Sequence, residues 1–261
     1  MRALSVAATG MQSQQLNIDN IPNNLANVNT GGFKRGRVDF QDLLYQTVRP
    51  AGTSASINTE VPTGIYLGLG SRPAAIQKVF TQGAYQQTDQ KLDMLIEGEG
   101  FFQITRPDGG YAYTRDGAFK LDNQGRIVTS NGDPLTPAIT IPNDVRVDDL
   151  MIAPDGTVSA IQGGHPTVLG NIQLARFTNQ GGLAPIGENL YIETQASGMA
   201  NTASPGGEGF GTLRQGYLEM SNVSVVEELV NMIMAQRAYE ISSKAITTSD
   251  DMMQVASSLK R

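Results

Sequence analysis

The 261-residue sequence contains no cysteine, no tryptophan and a single histidine, His165. Without cysteine there is no disulfide, no thiol nucleophile and no thiolate metal ligand, and passage between compartments raises no redox difficulty. Long apolar runs are also missing. Nothing approaches the roughly 18 consecutive apolar residues of a membrane-spanning helix, and Met1–Met11 lacks the roughly 7–15-residue apolar segment of a secretory leader. The expectation is therefore no membrane insertion, and export without a cleaved signal peptide if the chain leaves the cytoplasm. Positive charge is scarce, with 19 Lys and Arg against 25 Asp and Glu and a pI near 4.8. Binding of nucleic acid by charge is excluded on that balance.

Catalytic patterns are absent too. The chain has no HExxH, GxSxG or GxxxxGK[ST]. His165 lies in a GGHPT stretch that reads as a surface loop. Glu97 and Glu99 flank Gly98 and invite comparison with paired glycosidase carboxylates. On a strand, though, side chains two apart share a face and repel, so an exposed strand end is the plainer reading. Asp108, Asp116, Asp122 and Asp155 sit in or near glycine turns without calcium-loop spacing. No catalytic residue, metal ligand or cofactor is expected.

What the chain does have lies at its ends. Val223, Val226, Val230, Met234, Ala238, Ile241, Ala245, Thr248, Met252, Val255 and Leu259 recur at spacings of three and four, one face of a long helix. Ser224 and Glu227 form a capping-box pattern before it, and Lys260 and Arg261 suit the negative end of its dipole. Carried from Val223 to Arg261, such a helix is about 55 Å long and needs a long partner. The other terminus supplies a match: Leu4, Ala7, Met11, Gln14, Ile18, Ile21, Leu25 and Val28 alternate spacings of three and four, a seven-residue period. Pro22 falls inside this run and predicts a kink or break.

One reading pairs the two helices as an intramolecular hairpin. Yet a two-helix coil buries one stripe per helix, and Val225, Leu229, Met232 and Ile233 lie off the main seam. Self-assembly would cover them.

Between the termini the signals change. Val38, Phe40, Leu43, Leu44 and Tyr45 follow at helix-like spacing. Gln46–Ser71 is rich in Gly, Pro, Ser and Thr, and reads either as a disordered loop or as an extended arm with a strand near Ile65–Leu69. Alternating strand patterns then recur at Ala75–Thr81, Asp93–Glu97, Phe101–Thr105, Ala112–Thr114, Ala118–Leu121, Arg126–Thr129, Met151–Ala153, Thr157–Ile161, Ile172–Phe177 and Tyr191–Glu193. Turn residues at Pro107–Gly110, Asp122–Gly125 and Pro154–Gly156 make hairpins and hence antiparallel sheet. Gly-rich loops are expected at Gln162–His165 and Ser197–Gly211, with helical period returning from Leu213.

The fold class is thus α+β, with long terminal helices paired as a coiled-coil-like stalk, an extended arm and an antiparallel β-rich middle. Expected divisions are 1–30, the N-terminal helix of an inner domain; 31–74, a linking region holding the insert 46–71; 75–212, a β-rich outer domain; and 213–261, a return segment and C-terminal helix.

Three stretches carry a resemblance. NNLANVNTGGFKR at Asn23–Arg35, SNVSVVEELVNMIMAQRAYEISSKAITTSDDMM at Ser221–Met253, and GEGFFQI with YTRDGAFKLDNQGRIV between Gly98 and Val128 are similar to the bacterial flagellar rod and hook family over nearly the whole chain. The motif positions are Asn23, Asn24, Leu25, Asn27, Asn29, Gly32, Phe33, Lys34, Gln236, Arg237, Tyr239 and Glu240. Pro22 departs from the pattern, since the family more often has a helix-compatible residue there. Length and the 46–71 insert resemble the distal part of the rod most; a proximal rod or hook-type subunit is the alternative.

The resemblance implies a non-enzymatic structural subunit, without cofactor, that polymerises into a hollow shaft transmitting torque. Its implied partners are its own copies, proximal rod proteins, the hook or hook–rod junction, the P- and L-ring proteins, the export apparatus and the rod cap. It would lie in the basal body, in the periplasm and up to the outer membrane. Leu4, Met11, Ile18, Leu25, Val226, Val230, Met234, Ile241, Met252, Val255 and Leu259 would form helical seams between subunits. Gln236, Glu240, Ser243, Thr247, Asp250, Gln254 and Ser258 fall opposite that seam. By itself that line is a solvated face. Within the family it implies a channel lining, through Gln236, Ser243, Thr247, Gln254 and Ser258. From the residues alone two other classes stay open: a periplasmic β-rich enzyme dependent on Glu97 or Glu99, and a compact monomeric binding module with protected termini.

Overall fold

The computed structural model describes residues 2–258 apart from 53, 57, 58, 61, 143, 163 and 164. The chain divides into two compact units, one of residues 1–25, 36–77 and 224–261 and one of residues 26–35 and 78–223. The stretch 31–74 is thereby divided, 31–35 going to the second unit and 36–74 to the first.

In the first unit, helix α1 runs from Arg2 to Ala26 and helix α2 from Val225 to Ser258. Pro22 does not break α1. It removes the partner of the Ile18 carbonyl alone, and only four helical residues follow it. α2 starts one residue after Ser224, whose Oγ meets the Glu227 N–H at 3.5 Å, a long version of the expected cap. Leu259, Lys260 and Arg261 lie outside the described residues.

Gly36–Asp42 is a strand paired with Ser71–Lys78, which corrects the helix-like reading of Val38 to Tyr45. Over 36–42 apolar and polar residues alternate, with Gly36 and Val38 buried and Arg37 exposed. That two-residue period outweighs the short three-and-four coincidence beyond it. The insert forms strands rather than a structureless loop: Tyr45–Arg49 pairs antiparallel with Ile65–Gly68, Tyr45 opposite Gly68. Both strands are exposed along their whole length.

The second unit is antiparallel throughout its main sheet. Six strands lie in the order Ala184–Gly187, Leu190–Ile192, Tyr111–Thr114, Phe101–Thr105, Leu174–Arg176 and Asn201–Ala203. Successive side chains of a strand face opposite ways, so Phe102 and Ile104 enter the larger core with Met94, Ile127, Leu135 and Ile172, while Phe101 joins Tyr113, Phe177 and Tyr191 on the other face. Edge-to-face rings tighten that second cluster, Tyr113 on Phe177 at 4.7 Å and Phe101 on Phe177 at 5.8 Å. A sheet covered on both faces explains why its central strands read as nearly continuous apolar runs.

Turn chemistry closes the hairpins as expected. The Asp122 carboxylate accepts the N–H groups of Gln124 and Arg126, both at 2.8 Å, and these bonds hold its pKa below the usual range. Two corrections fall late in the chain. His165–Asn171 is a strand against Thr157–Gln162, and helical period does not return at Leu213. Thr212–Gln215 pairs with Met94–Glu97, and Tyr217–Glu219 with Tyr85–Gln87.

Candidate assembly site

The motif residues of Asn23–Arg35 split between the two units. In the first, Asn24 is buried on α1. Its Nδ2 donates to the Gly36 carbonyl at 2.9 Å and to Glu228 Oε2 at 3.3 Å, and its Oδ1 accepts the Gly36 N–H at 2.8 Å. One amide thus ties α1, the first strand and α2 together. Asn20 Nδ2 donates to the same carbonyl, and a Cβ at Gly36 would lie 2.7 Å from Asn20 Oδ1, so this approach depends on glycine.

In the second unit, Lys34 is fully buried and ion-paired with Glu219 Oε1, donating also to the Thr81 carbonyl at 2.7 Å. Gly83 N–H gives the same carboxylate oxygen a second bond at 3.0 Å, and Arg115 Nη1 stands 3.5 Å from Oε2. Arg115 Nη2 donates to the Gly98 carbonyl at 2.8 Å. Burial pushes the pKa values of Lys34 and Arg115 down, against the pull of Glu219. One carboxylate therefore holds two buried cations.

Gly32, in the same motif, has φ 67° and a Cβ there would meet the Asp116 backbone at 2.5 Å, so only glycine fits. Phe33 is buried beneath the Lys78 ammonium, 4.3 Å from the ring centre. Asn27 Oδ1 accepts from Thr30, in the turn that follows α1 and contains Asn29.

The helices of the first unit meet at two levels. Besides Asn24 and Glu228, a Cβ at Gly10 would lie 3.5 Å from Ser242 Oγ. Fourteen residues separate Asn24 from Gly10 and fourteen separate Glu228 from Ser242, in opposite senses, so the helices run antiparallel at these levels. The more buried line of α2 is Glu228, Met232, Ala235, Ala238, Ser242, Ile246 and Ser249. It shares Ala238 with the apolar seam of the sequence but none of the seam's large residues. Val226, Val230, Met234, Ile241, Met252 and Val255 are all exposed, Val226 at 72% and Ile241 at 67%. On α1, Leu4, Met11, Ile18 and Leu25 are half-buried. Of the polar line, Gln236, Thr247, Gln254 and Ser258 are exposed and Ser243 is half-buried. Arg237 and Glu240 bridge one another at 2.8 Å on the surface, beside a partly exposed Tyr239.

An apolar groove of about 580 Å³ opens in the same unit, between Val6 and Ala7 of α1, Ile241 and Ala245 of α2, and Leu67. Among the described residues Arg2 is its one charged lining residue. Beside it the 45–68 arm leaves Tyr45, Val48 and Tyr66 exposed, as is Leu44 just before it. Among the described residues no group of His, Asp and Glu side chains is placed to hold a metal ion. Glu99 is taken up by Arg176 at 2.9 Å, and His165 is exposed on a strand. No helix among the described residues is long and apolar enough to cross a membrane.

Sequence reasoning missed Glu219, Arg115, Glu228 and Asn222. Asn222 Oδ1 accepts the Arg35 N–H and its Nδ2 donates to the Val79 carbonyl, both at 2.8 Å. The available signal was a lone acid, Glu219, between Leu218 and Met220 before the helix start.

Three family models match: the flagella basal body rod protein at residues 4–34, the flagellar hook protein FlgE/F/G D1 domain at 95–160, and the flagellar basal body rod FlgEFG protein C-terminal region at 214–259. The flagellar basal-body rod protein FlgG of Borreliella burgdorferi is 52% identical over 263 aligned positions, covering 100% of this chain and 99% of that protein. The chain belongs to the flagellar basal-body rod family. The FlgG proteins of Buchnera aphidicola from Acyrthosiphon pisum, at 51% with 98% and 99% covered, and of Caulobacter vibrioides, at 48% with both chains fully covered, agree. Rod-family membership makes the chain a structural, self-assembling subunit of the flagellar basal body and not an enzyme.

Proposed function

We propose that this chain, a distal-rod subunit of the flagellum, polymerises helically into a stiff hollow shaft that carries motor torque to the hook and lets later subunits pass through its bore. The observation that carries this is the presence of two different lines on α2. Its line of mixed character, from Glu228 to Ile246, packs within the chain, while the large residues of its apolar line stay exposed. An exposed stripe of that length wants cover from other copies, and a heterologous contact that does not close generates a helical filament.

In this reading the terminal helices form a coiled-coil-like stalk, and Leu4, Met11, Ile18, Leu25 and the α2 seam meet across subunits. The further partners are proximal rod proteins below, the hook or hook–rod junction above, the P and L rings around, and the export apparatus and rod cap during growth. The rod spans the periplasm to the outer membrane. Rods isolated from cells whose only copy is this chain, imaged by electron cryomicroscopy, should be hollow with α2 innermost. A solid fibre, or α1 at the bore, would sink the arrangement.

The polar line Gln236, Ser243, Thr247, Gln254 and Ser258 is assigned to the bore, where small polar groups offer a passing unfolded chain little apolar surface to bind. Thr247→Leu with Gln254→Phe should then slow filament growth several-fold while rod number stays unchanged. Normal filament growth would refute the lining.

The arm receives a mechanical role. Tyr45–Arg49 and Ile65–Gly68 expose apolar side chains on both strands, suited to docking on neighbours and blocking the sliding that bending requires. Deleting Ala51–Thr63 is expected to give bendable rods by electron microscopy; rods as straight as before would count against it.

A further inference from the structure

Carried on at the register set by Asn24 with Glu228 and Gly10 with Ser242, α1 ends short of the last turns of α2, and residues 251–258 are exposed at every position. Met252 and Val255 lie there, about 60% exposed, on one side of the helix. The groove beside Ala7 and Ala245 is apolar and open. A continuous helix cannot bring its own residues 252–255 back to its own residues 241–245: at about 1.5 Å per residue the offset along the axis is roughly 10–20 Å. Both surfaces need cover, and one chain cannot cover itself.

Charge selects between the two apolar elements that a neighbour could insert. The groove carries Arg2, and the helix end carries Asp251 next to Met252. The exposed arm instead brings Arg49 directly after Val48, like charge against like. Methionine, unbranched and adaptable, also suits a groove of irregular section.

We propose that the groove receives the C-terminal turns of α2 from a neighbouring copy of this chain, Met252 and Val255 lying on its apolar walls and Asp251 beside Arg2. This rests on the polymer reading and names one contact within it. The contact is heterologous, since groove and helix end are different surfaces of each copy, so each added subunit presents a fresh groove.

The cysteine-free chain makes the test direct. Two single variants, Leu67→Cys and Val255→Cys, are produced together in cells lacking other copies, and their rods are isolated and oxidised. A disulfide-linked dimer that requires both variants is expected, and it can arise only between copies. Rods that form normally but yield no such dimer overturn the groove contact while leaving the polymer intact. A dimer between Val48→Cys and Leu67→Cys in its place would make the arm the occupant and also overturn it. Failure of the unsubstituted chain to build rods would overturn the polymer reading itself. As a second measurement, Asp251→Lys should lower rod yield about two- to five-fold, as loss of an exposed ion pair allows, and Arg2→Asp should recover it. No recovery in the double variant would remove the charge pairing from the contact.

Discussion

Glu219→Gln is expected to destabilise the β-rich unit by about 3–5 kcal/mol, which is the cost of leaving buried charge without its partner. The variant keeps the shape of the side chain but removes the one anion between Lys34 and Arg115, both buried. Two cations then face each other with no water to screen them. Lys34→Met should cost less, about 1–3 kcal/mol, because Glu219 keeps Arg115 and the Gly83 N–H. Urea unfolding of the full chain followed by circular dichroism measures both, since no tryptophan is present to report. Equal losses in the two variants would show that the carboxylate does not hold both cations. Lys34 stands where the chain first leaves this unit and Glu219 near where it leaves for the last time, 185 residues later, so the pair ties both exits together.

Val230→Glu combined with Met234→Glu should abolish rod formation and leave the subunit folded. Both side chains are at least half exposed, so in the lone chain the substitutions remove little buried contact and glutamate suits a helix. In a polymer whose seam covers them, each change forfeits about 1.5–3 kcal/mol of apolar burial and adds the cost of desolvating a carboxylate. Together these raise the subunit concentration needed for assembly by more than about 100-fold. Sedimentation and circular dichroism separate the two effects: an unchanged helical signal with no polymer is expected. Polymer at wild-type concentration would mean that the exposed line of α2 faces solvent or the bore.

How far the sequence could be read depends on the range of the interaction concerned. Both helices, the hairpin turns at Pro107–Gly110 and Asp122–Gly125, and the Phe101–Thr105 strand are local patterns, and they form as patterned. Leu43, Leu44 and Tyr45, which lie beyond the end of Gly36–Asp42, lend that strand a false helical spacing. Glycine marks turns, so Ser197–Gly211 reads as a loop, yet Asn201–Ala203 within it pairs with Leu174–Arg176 across a distance in sequence that no local pattern encodes. Of the site, the motif residues Asn24, Gly32 and Lys34 were legible as a family signature, but their work was not. Asn24 is satisfied by Gly36 and Glu228, and Lys34 by Glu219. Such pairings belong to tertiary structure. The apolar period on α2 gives a seam, while the line packed inside the chain consists of Glu228, Met232, Ala235, Ala238, Ser242, Ile246 and Ser249, too mixed in character to announce itself.

The antiparallel helices are held unevenly along their length. Near Ala26 and Val225 they are fastened by the bonds of Asn20, Asn24 and Glu228 around Gly36, and farther along, where Gly10 faces Ser242 midway along α2, small groups meet in ordinary contact. Polar fastening fixes register, whereas contact between small groups tolerates slip. The pair therefore resembles a zip sewn at one end: separation starts at the termini and meets rising resistance toward the Asn24 stitch. A subunit built in this way can splay its free ends to interleave with those already in place while its fastened end keeps alignment.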